Sequence, residues 1–276
     1  MTEITTAMVK ELREATGAGI LESRNALREA DGNFDQAVQL LRERGLSKAA
    51  KKADRTANQG VIICRIENEA TLGAMVELNC ETDFVARNER FQELANLVAD
   101  LVVATGVDTA DEVLELKADG RAVKDLITDA VAVIGENIQL RRVSRFEAAP
   151  GGFITSYIHA GRIGVLVEIT GADETLAHDL ALQIAASNPR YLVTDEVPEA
   201  MLEAERHIYW AQLADDPKPD TVKARIVDGR VDKYLEEIVL LRQPYIKDLG
   251  KSIEQVLKEA GGNVAVRRFA CFELGA

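Results

Sequence analysis

Two stretches of this chain repeat each other, and that repetition restricts the fold more than any composition does. Residues 72–78 (LGAMVEL) match 163–169 (IGVLVEI) at an offset of 91, and residues 135–147 (GENIQLRRVSRFE) match 261–273 (GGNVAVRRFACFE) at an offset of 126. Such self-similarity means that one supersecondary unit occurs twice. Each copy predicts a β-hairpin, a helix, a variable segment, a second helix and a returning strand. The hairpins fall at 61–78 and 153–169, with turns at Asn68-Glu69 and Ala160-Gly161. The helices that follow carry Phe91, Leu94, Val98 and Leu101 in the first copy and Leu176, Leu180 and Ile184 in the second. Each returning strand must pair with its own hairpin. The fold class is therefore α+β, a duplicated core of two small units, each with a one-sided antiparallel sheet and helices on one face.

The two offsets differ by 35 residues, so the second copy carries an insertion. Residues 189–242 supply it: Met201, Ala204 and Ile208, then Ile226, Tyr234 and Ile238, stand at helical spacing on either side of DDPKPD (215–220), which no helix crosses. This predicts an antiparallel helical hairpin. Bearing Tyr209 and Trp210, it either meets another chain or packs on itself.

Ahead of the repeats, three short helices are expected. The first sets Met8, Val9, Leu12 and Ala15 on one face and stops at the Thr16-Gly17-Ala18-Gly19 turn; the second runs over 20–30; the third starts from an Asn33 cap and ends at Gly45. A unit of this size buries little, and suits presentation of a surface better than chemistry. The expected division is a three-helix domain over 1–46, a basic linker over 47–59, repeat one over 60–150, repeat two over 151–188 and 243–276, and the helical hairpin over 189–242.

Composition narrows the function by exclusion. A net charge of −13 opposes broad binding to phosphate backbones. The one basic stretch, Lys48, Lys51, Lys52 and Arg55 against Asp54, suits a solvated helix surface, so no direct nucleic-acid partner is expected. No apolar run approaches the ~20 residues of a membrane span, and the N-terminus carries acids where a targeting segment would not, which makes the cytoplasm the expected location. Cys64, Cys80 and Cys271 lack CxxC spacing and read as core thiols of a reducing compartment. Gly250-Lys251-Ser252 lacks the upstream glycine of a phosphate-binding loop, and Gly17-Ala18-Gly19 follows a helix instead of a strand. His159, His178 and His207 fall in a turn, a helix and the insertion, too scattered for a shared metal or acid–base site; only His159, in a hairpin turn, is exposed to a partner by its position. No Ser/His/Asp, Cys/His or paired-carboxylate spacing stands out, so the residues themselves nominate no catalytic residue, metal or cofactor, though catalytic residues need not be close in sequence.

One segment resists this bland reading. Residues 79–91, NCETDFVARNERF, leave a predicted strand and enter a predicted helix in a chain with only 5% aromatic residues. In a structural reading Thr82 or Asp83 caps a turn while Phe84 and Val85 pack beneath the helix starting near Asn88; most Phe residues are buried, which favours it. In a functional reading Asp83 and Phe84 project together, a carboxylate able to disturb a divalent cation and an aromatic able to wedge into an apolar cleft.

Taken in order, TAMVKELREATGAGILESRNAL (6–27), NCETDFVARNERF (79–91) and SYIHAGRIGVLVE (156–168) resemble the elongation factor Ts family of bacterial translation; the TDFV motif and the KELREATGAG opening are specific as a pair. The resemblance implies a guanine nucleotide exchange factor for elongation factor Tu, with a ubiquitin-associated-like N-terminal domain and a coiled-coil insertion. It implies that Asp83 and Phe84 intrude beside the partner's nucleotide and dislodge its magnesium, with Thr82 and Val85 setting and seating the turn. Lys10, Arg13, Ile20 and Leu21 are implied to face the partner's nucleotide-binding domain, His159 a different partner domain, and Ile246 to add an apolar contact. The chain departs from the family in two places: Lys247 stands where a second apolar residue is expected, and no further helix follows the second RRF strand before Ala276. A one-to-one complex is the expected assembly, with self-association through the helical hairpin as the other arrangement. The resemblance thus implies a regulatory binding protein with no cofactor, and not an enzyme; the rival reading is an adaptor or chaperone-like module that binds without speeding any release, and an enzyme comes third.

Overall fold

A computed structural model describes residues 2–261 and 263–276. The chain opens with α1 (Thr6–Thr16), α2 (Ile20–Glu29) and α3 (Phe34–Ala50), which close over Val9, Leu12, Ala26, Leu27 and Ala37. Thr5 and Asn33 cap α1 and α3 through their side chains. The expected end of the third helix at Gly45 is not observed. A glycine costs a helix only ~1 kcal/mol, and here its missing side chain lets α3 close on the core: a Cβ at Gly45 would stand 3.2 Å from that of Ala132. The expected linker over 47–59 is accordingly shortened, residues 47–50 being the last turn of α3.

Repeat one follows as β1 (Gln59–Glu67), β2 (Leu72–Cys80), α4 (Asp83–Ala86), α5 (Glu89–Thr105), α6 (Ala110–Glu115), the short ribbon β3 (Lys117–Ala118) and β4 (Arg121–Ala122), α7 (Val123–Ile134) and β5 (Gln139–Glu147). Repeat two comprises β6 (Gly152–His159), β7 (Ile163–Thr170), α8 (Glu174–Ser187), then, after the insertion α9 (Glu199–Gln212) and α10 (Asp220–Ile238), the ribbon β8 (Pro244–Tyr245) and β9 (Asp248–Ser252), α11 (Ile253–Ala260) and β10 (Ala265–Glu273). Each three-stranded sheet is antiparallel with the second hairpin strand central: β1-β2-β5 and β10-β7-β6. The ends of the insertion are tied together, Leu240 donating to the Tyr191 carbonyl at 2.9 Å and Arg190 to that of Ile238 at 2.8 Å. Its helices bury Leu202, Val227, Val231 and Leu235 against each other. The hairpin packs on itself along this face, while Ile208 and Trp210 of α9 remain exposed on another.

The sheets are not one-sided. Along β2, Ala74, Val76 and Leu78 face the helices α5 and α7, while Met75 on the opposite face packs with Ile62, Ile154, Leu166 and Phe272 in a layer between the two sheets. Helices, sheet, sheet and helices form four layers. The signal lay in the central strands: LGAMVEL and IGVLVEI are near-continuous apolar runs, the mark of a strand covered on both faces. Gly73 and Gly164, equivalent in the duplication, set the closeness of the approach. A Cβ at Gly164 would lie 2.4 Å from Ile62 Cγ2, and one at Gly73 2.7 Å from Ile154 Cγ2.

Two ion pairs, each joining a buried glutamate to a partly exposed arginine, bridge the same layer. Arg142 donates to Glu77 (2.6 Å) and, across the interface, to the Glu273 carbonyl (2.8 Å), lying over the ring of Phe272; Arg268 donates to Glu168 (2.7 Å) and to the Glu147 carbonyl (2.9 Å), lying over Phe146. Each arginine thus pairs within its own repeat and clasps the other. A register shift in each returning strand, between Leu140 and Arg142 of β5 and between Val266 and Arg268 of β10, sets each arginine opposite the glutamate of its central strand. Glu77 is fully buried, so a carboxylate there is tolerable only because this partner is in place.

Candidate functional site

The segment after β2 departs from the sheet at Cys80, whose thiol donates to the Thr82 carbonyl. Burial pushes that thiol up to about 12, with the nearby Glu136 carboxylate adding to it, so Cys80 is inert packing. Thr82 then caps α4, its hydroxyl accepting from the Val85 N–H at 3.4 Å. Asn88 caps α5 in the same way through the Arg90 N–H. Between these caps the structural and functional readings of the segment divide. Val85 packs against the core of repeat one, whereas Phe84 is 81% exposed, with its neighbour Asp83 open to water beside it. Burial of Phe84 beneath the helix is therefore corrected: in this one-turn helix Ala86 is the buried residue and Val85 packs partly beside it, which leaves Phe84 on the outer side. Asp83 accepts from Arg87 at 2.9 Å across an exposed i,i+4 pair. Such a pair is worth only ~0.3–0.5 kcal/mol, so the carboxylate is free to exchange partners.

The loop is anchored from below by a residue that the motif search passed over. Glu136, just after α7, accepts from the backbone N–H groups of Glu81 (3.1 Å) and Thr82 (3.0 Å) through one oxygen and from the Thr82 hydroxyl (2.6 Å) through the other. Glu81 returns the contact by accepting from the Asn137 N–H at 2.7 Å.

The N-terminal candidates adjoin this loop. Gly17 ends α1 at φ 70, and a Cβ there would stand 2.8 Å from Arg90 Nη1, so the Thr16 to Gly19 turn rests beside the first turn of α5. Lys10 and Arg13 lie on the outer face of α1, Lys10 in an exposed pair with Glu14. Ile20 and Leu21 are exposed at the start of α2, because its inward face is Ser23, Ala26 and Leu27. His159 ends β6, its ring 3.3 Å from the Tyr157 hydroxyl. The turn after it reaches the same end of the sandwich: Gly161 accepts from the Ile62 N–H and Arg162 donates to Gln59, which is paired with Cys80. Ile246 lies on a different element, the β8–β9 turn, its N–H donating to Gln183 of α8. Lys247, in the place where an apolar residue is expected, is tied to the buried Asp179 at 2.6 Å; Asp179 also accepts from Tyr245, whose phenol is pushed up to about 12 by burial and this bond. Two residues on, Leu249 is 77% exposed, an apolar side chain that helical or strand periodicity gave no reason to single out. His178 and His207 lie on exposed helix faces, His178 in edge contact with the Tyr157 ring.

Among the described residues, no group of three or more His, Cys, Asp or Glu has the geometry of a metal site, and no helix is long and apolar enough to cross a membrane. What the region offers is an exposed aromatic and a loosely held carboxylate on a braced turn, flanked by exposed apolar side chains. Its equipment is for contact.

Comparison with known proteins agrees in kind. The family model described as elongation factor TS matches residues 81–276. A protein of Thioalkalivibrio sulfidiphilus named elongation factor Ts is 44% identical over 272 residues, covering 99% of this chain and 92% of the relative. Proteins of the same name from Clostridium perfringens and Symbiobacterium thermophilum are each 42% identical, with 99% and 100% of this chain and 93% of each relative covered.

Proposed function

The chain belongs to the elongation factor Ts family of translation elongation factors, and on that premise we propose that it is the guanine nucleotide exchange factor of elongation factor Tu, acting in the cytoplasm as one half of a one-to-one complex. The observation that carries the proposal is Phe84, an aromatic 81% exposed beside a solvent-facing Asp83 on a short, externally braced turn. Large apolar side chains held out in water anchor interfaces.

Magnesium bridges the phosphates of bound GDP to its protein, so a carboxylate and an aromatic entering that site remove charge neutralisation and GDP leaves faster. Asp83 perturbs the ion or its waters; Phe84 fills the apolar cleft that opens; Thr82 and Val85 hold the turn. No covalent chemistry is asked of this protein. Reciprocity then completes the cycle: a factor that weakens GDP binding is itself bound more weakly by the nucleotide-loaded partner, so incoming GTP ejects it. Lys10, Arg13, Ile20 and Leu21 extend the contact from the N-terminal domain, and His159 and Ile246 from repeat two. Leu249 supplies the second apolar group that Lys247 does not.

Stopped-flow measurement of fluorescent GDP leaving elongation factor Tu tests the reading. Acceleration that rises with the concentration of this protein is expected. A folded protein that binds the partner without changing the release rate would instead establish the adaptor.

A further inference from the structure

We propose that Glu136 is a positioning residue of the exchange site, fixing through Thr82 the angle at which Asp83 and Phe84 meet the partner; the inference rests on the exchange reading above. Phe84 is 81% exposed, so its direction is set by the backbone of the loop and not by packing around its ring. That backbone belongs to α4, a single helical turn, and a lone turn does not sustain itself in water. Something outside it must hold it.

Glu136 does so at the two residues immediately before the projecting pair. Its three hydrogen bonds fix the Glu81 and Thr82 N–H groups and orient the Thr82 hydroxyl, which in turn accepts from Val85. Hydrogen bonds to an ionised carboxylate are stronger than those between neutral groups, and here three of them converge on one side chain. The brace is itself braced: the Asn137 side chain donates to the carbonyls of Ala53 and Arg55, joining the α7 end to the segment before β1.

The duplication provides an internal control. At the offset of 91, Asp173 stands in place of Thr82 and Thr175 in place of Phe84; at the offset of 126, Gly262 stands in place of Glu136. In repeat two, Asp173 caps α8 with its own carboxylate, accepting from the Leu176 N–H at 2.8 Å. Capping a helix after the central strand therefore does not call for this carboxylate. The copy that has it is the copy that presents an aromatic.

A double-mutant cycle tests the proposal on the full-length protein, with GDP release from elongation factor Tu as the readout and a melting curve for each variant. Glu136→Ala is expected to lower the acceleration about 10-fold or more, since misplacing a contributing group by ~1 Å costs on the order of 100-fold. In a Phe84→Ala background the same substitution should change the rate less than about 2-fold, because there is no longer a wedge to aim. Glu136→Gln, which keeps one oxygen for the two N–H groups, should fall between wild type and Glu136→Ala, and it carries the cycle if the alanine variant does not fold. An equal loss in both backgrounds would assign Glu136 to general stability and overturn the proposal, as would no loss. A wild-type protein that fails to accelerate release would overturn the exchange reading itself, and that appears in the first trace before any variant is mixed.

Discussion

Replacing Phe84 by alanine separates a side chain that supports the fold from one that serves a partner. About a fifth of Phe84 is withdrawn from water. Full burial of such a residue is worth ~1.5–3 kcal/mol, so truncation should cost the fold about 0.3–0.6 kcal/mol. In a chain of this size that corresponds to a melting shift of about 1–2 °C. Phe91, seven residues on and fully buried, provides the contrast: its truncation should cost ~3–5 kcal/mol and lower the melting temperature by on the order of 10 °C. The exchange assay should order the two variants the other way. Loss of an anchor worth ~1.4 kcal/mol or more in the complex lowers the rate of GDP release about 10-fold, while Phe91→Ala, assayed well below its melting point, should keep most of the activity. A Phe84→Ala protein that melts 8 °C or more below wild type (about 2–4 kcal/mol), or that exchanges at the wild-type rate, would refute the reasoning.

Other expectations follow from the core. Gly164→Ala places a methyl 2.4 Å from Ile62 Cγ2 between the sheets and should destabilise by ~1–3 kcal/mol in urea titration. Arg142→Ala leaves Glu77 buried without its partner and should cost about 3 kcal/mol, the low end for a broken buried pair because Arg142 is partly open to water; Arg142→Met with Glu77→Leu should recover most of that loss. Cys80 keeps its proton in the folded state up to about 12, against an ordinary thiol value of 9.0. Above pH 9 the unfolded chain therefore holds fewer protons than the folded one, and the contribution of this thiol to stability declines between pH 9 and 12. Cys80→Ala should flatten that stretch of the stability profile.

Much of the core was legible because the chain states it twice. The hairpins, the flanking helices and the interrupted second repeat follow from two aligned motifs, and the inserted pair of antiparallel helices from apolar spacing on either side of a proline-rich turn. The relation between the repeats was harder to read. Alternation along β2 and β7 is masked by apolar residues on both faces, and Gly73 and Gly164 read as weaknesses in a strand until something is seen to press against them. Gly45 misled for the opposite reason, since a contact glycine and a stop signal are the same letter. At the site, the sequence could nominate Asp83 and Phe84 yet not decide their burial; that depended on Val85 and Ala86 taking the inward side of the same helical turn. Glu136 was hidden because its bonds reach back 54 and 55 residues. The one trace of it was a mismatch between the repeats, GEN against GGN.

The crossed arginines bear on how such a core could have arisen. Each reaches from its own half to the strand end of the other, and each half offers a glycine to the other's aliphatic side chains. These are the reciprocal contacts of a two-fold symmetric dimer, in which one surface is complementary to itself. Two separate copies of a single half could close in the same way, but both would be held to one sequence. Joined in one polypeptide, the halves are released from sameness. One keeps the wedge and its brace, the other accepts a helical hairpin, and the shared seam leaves room for this division of labour without asking either half to stand alone.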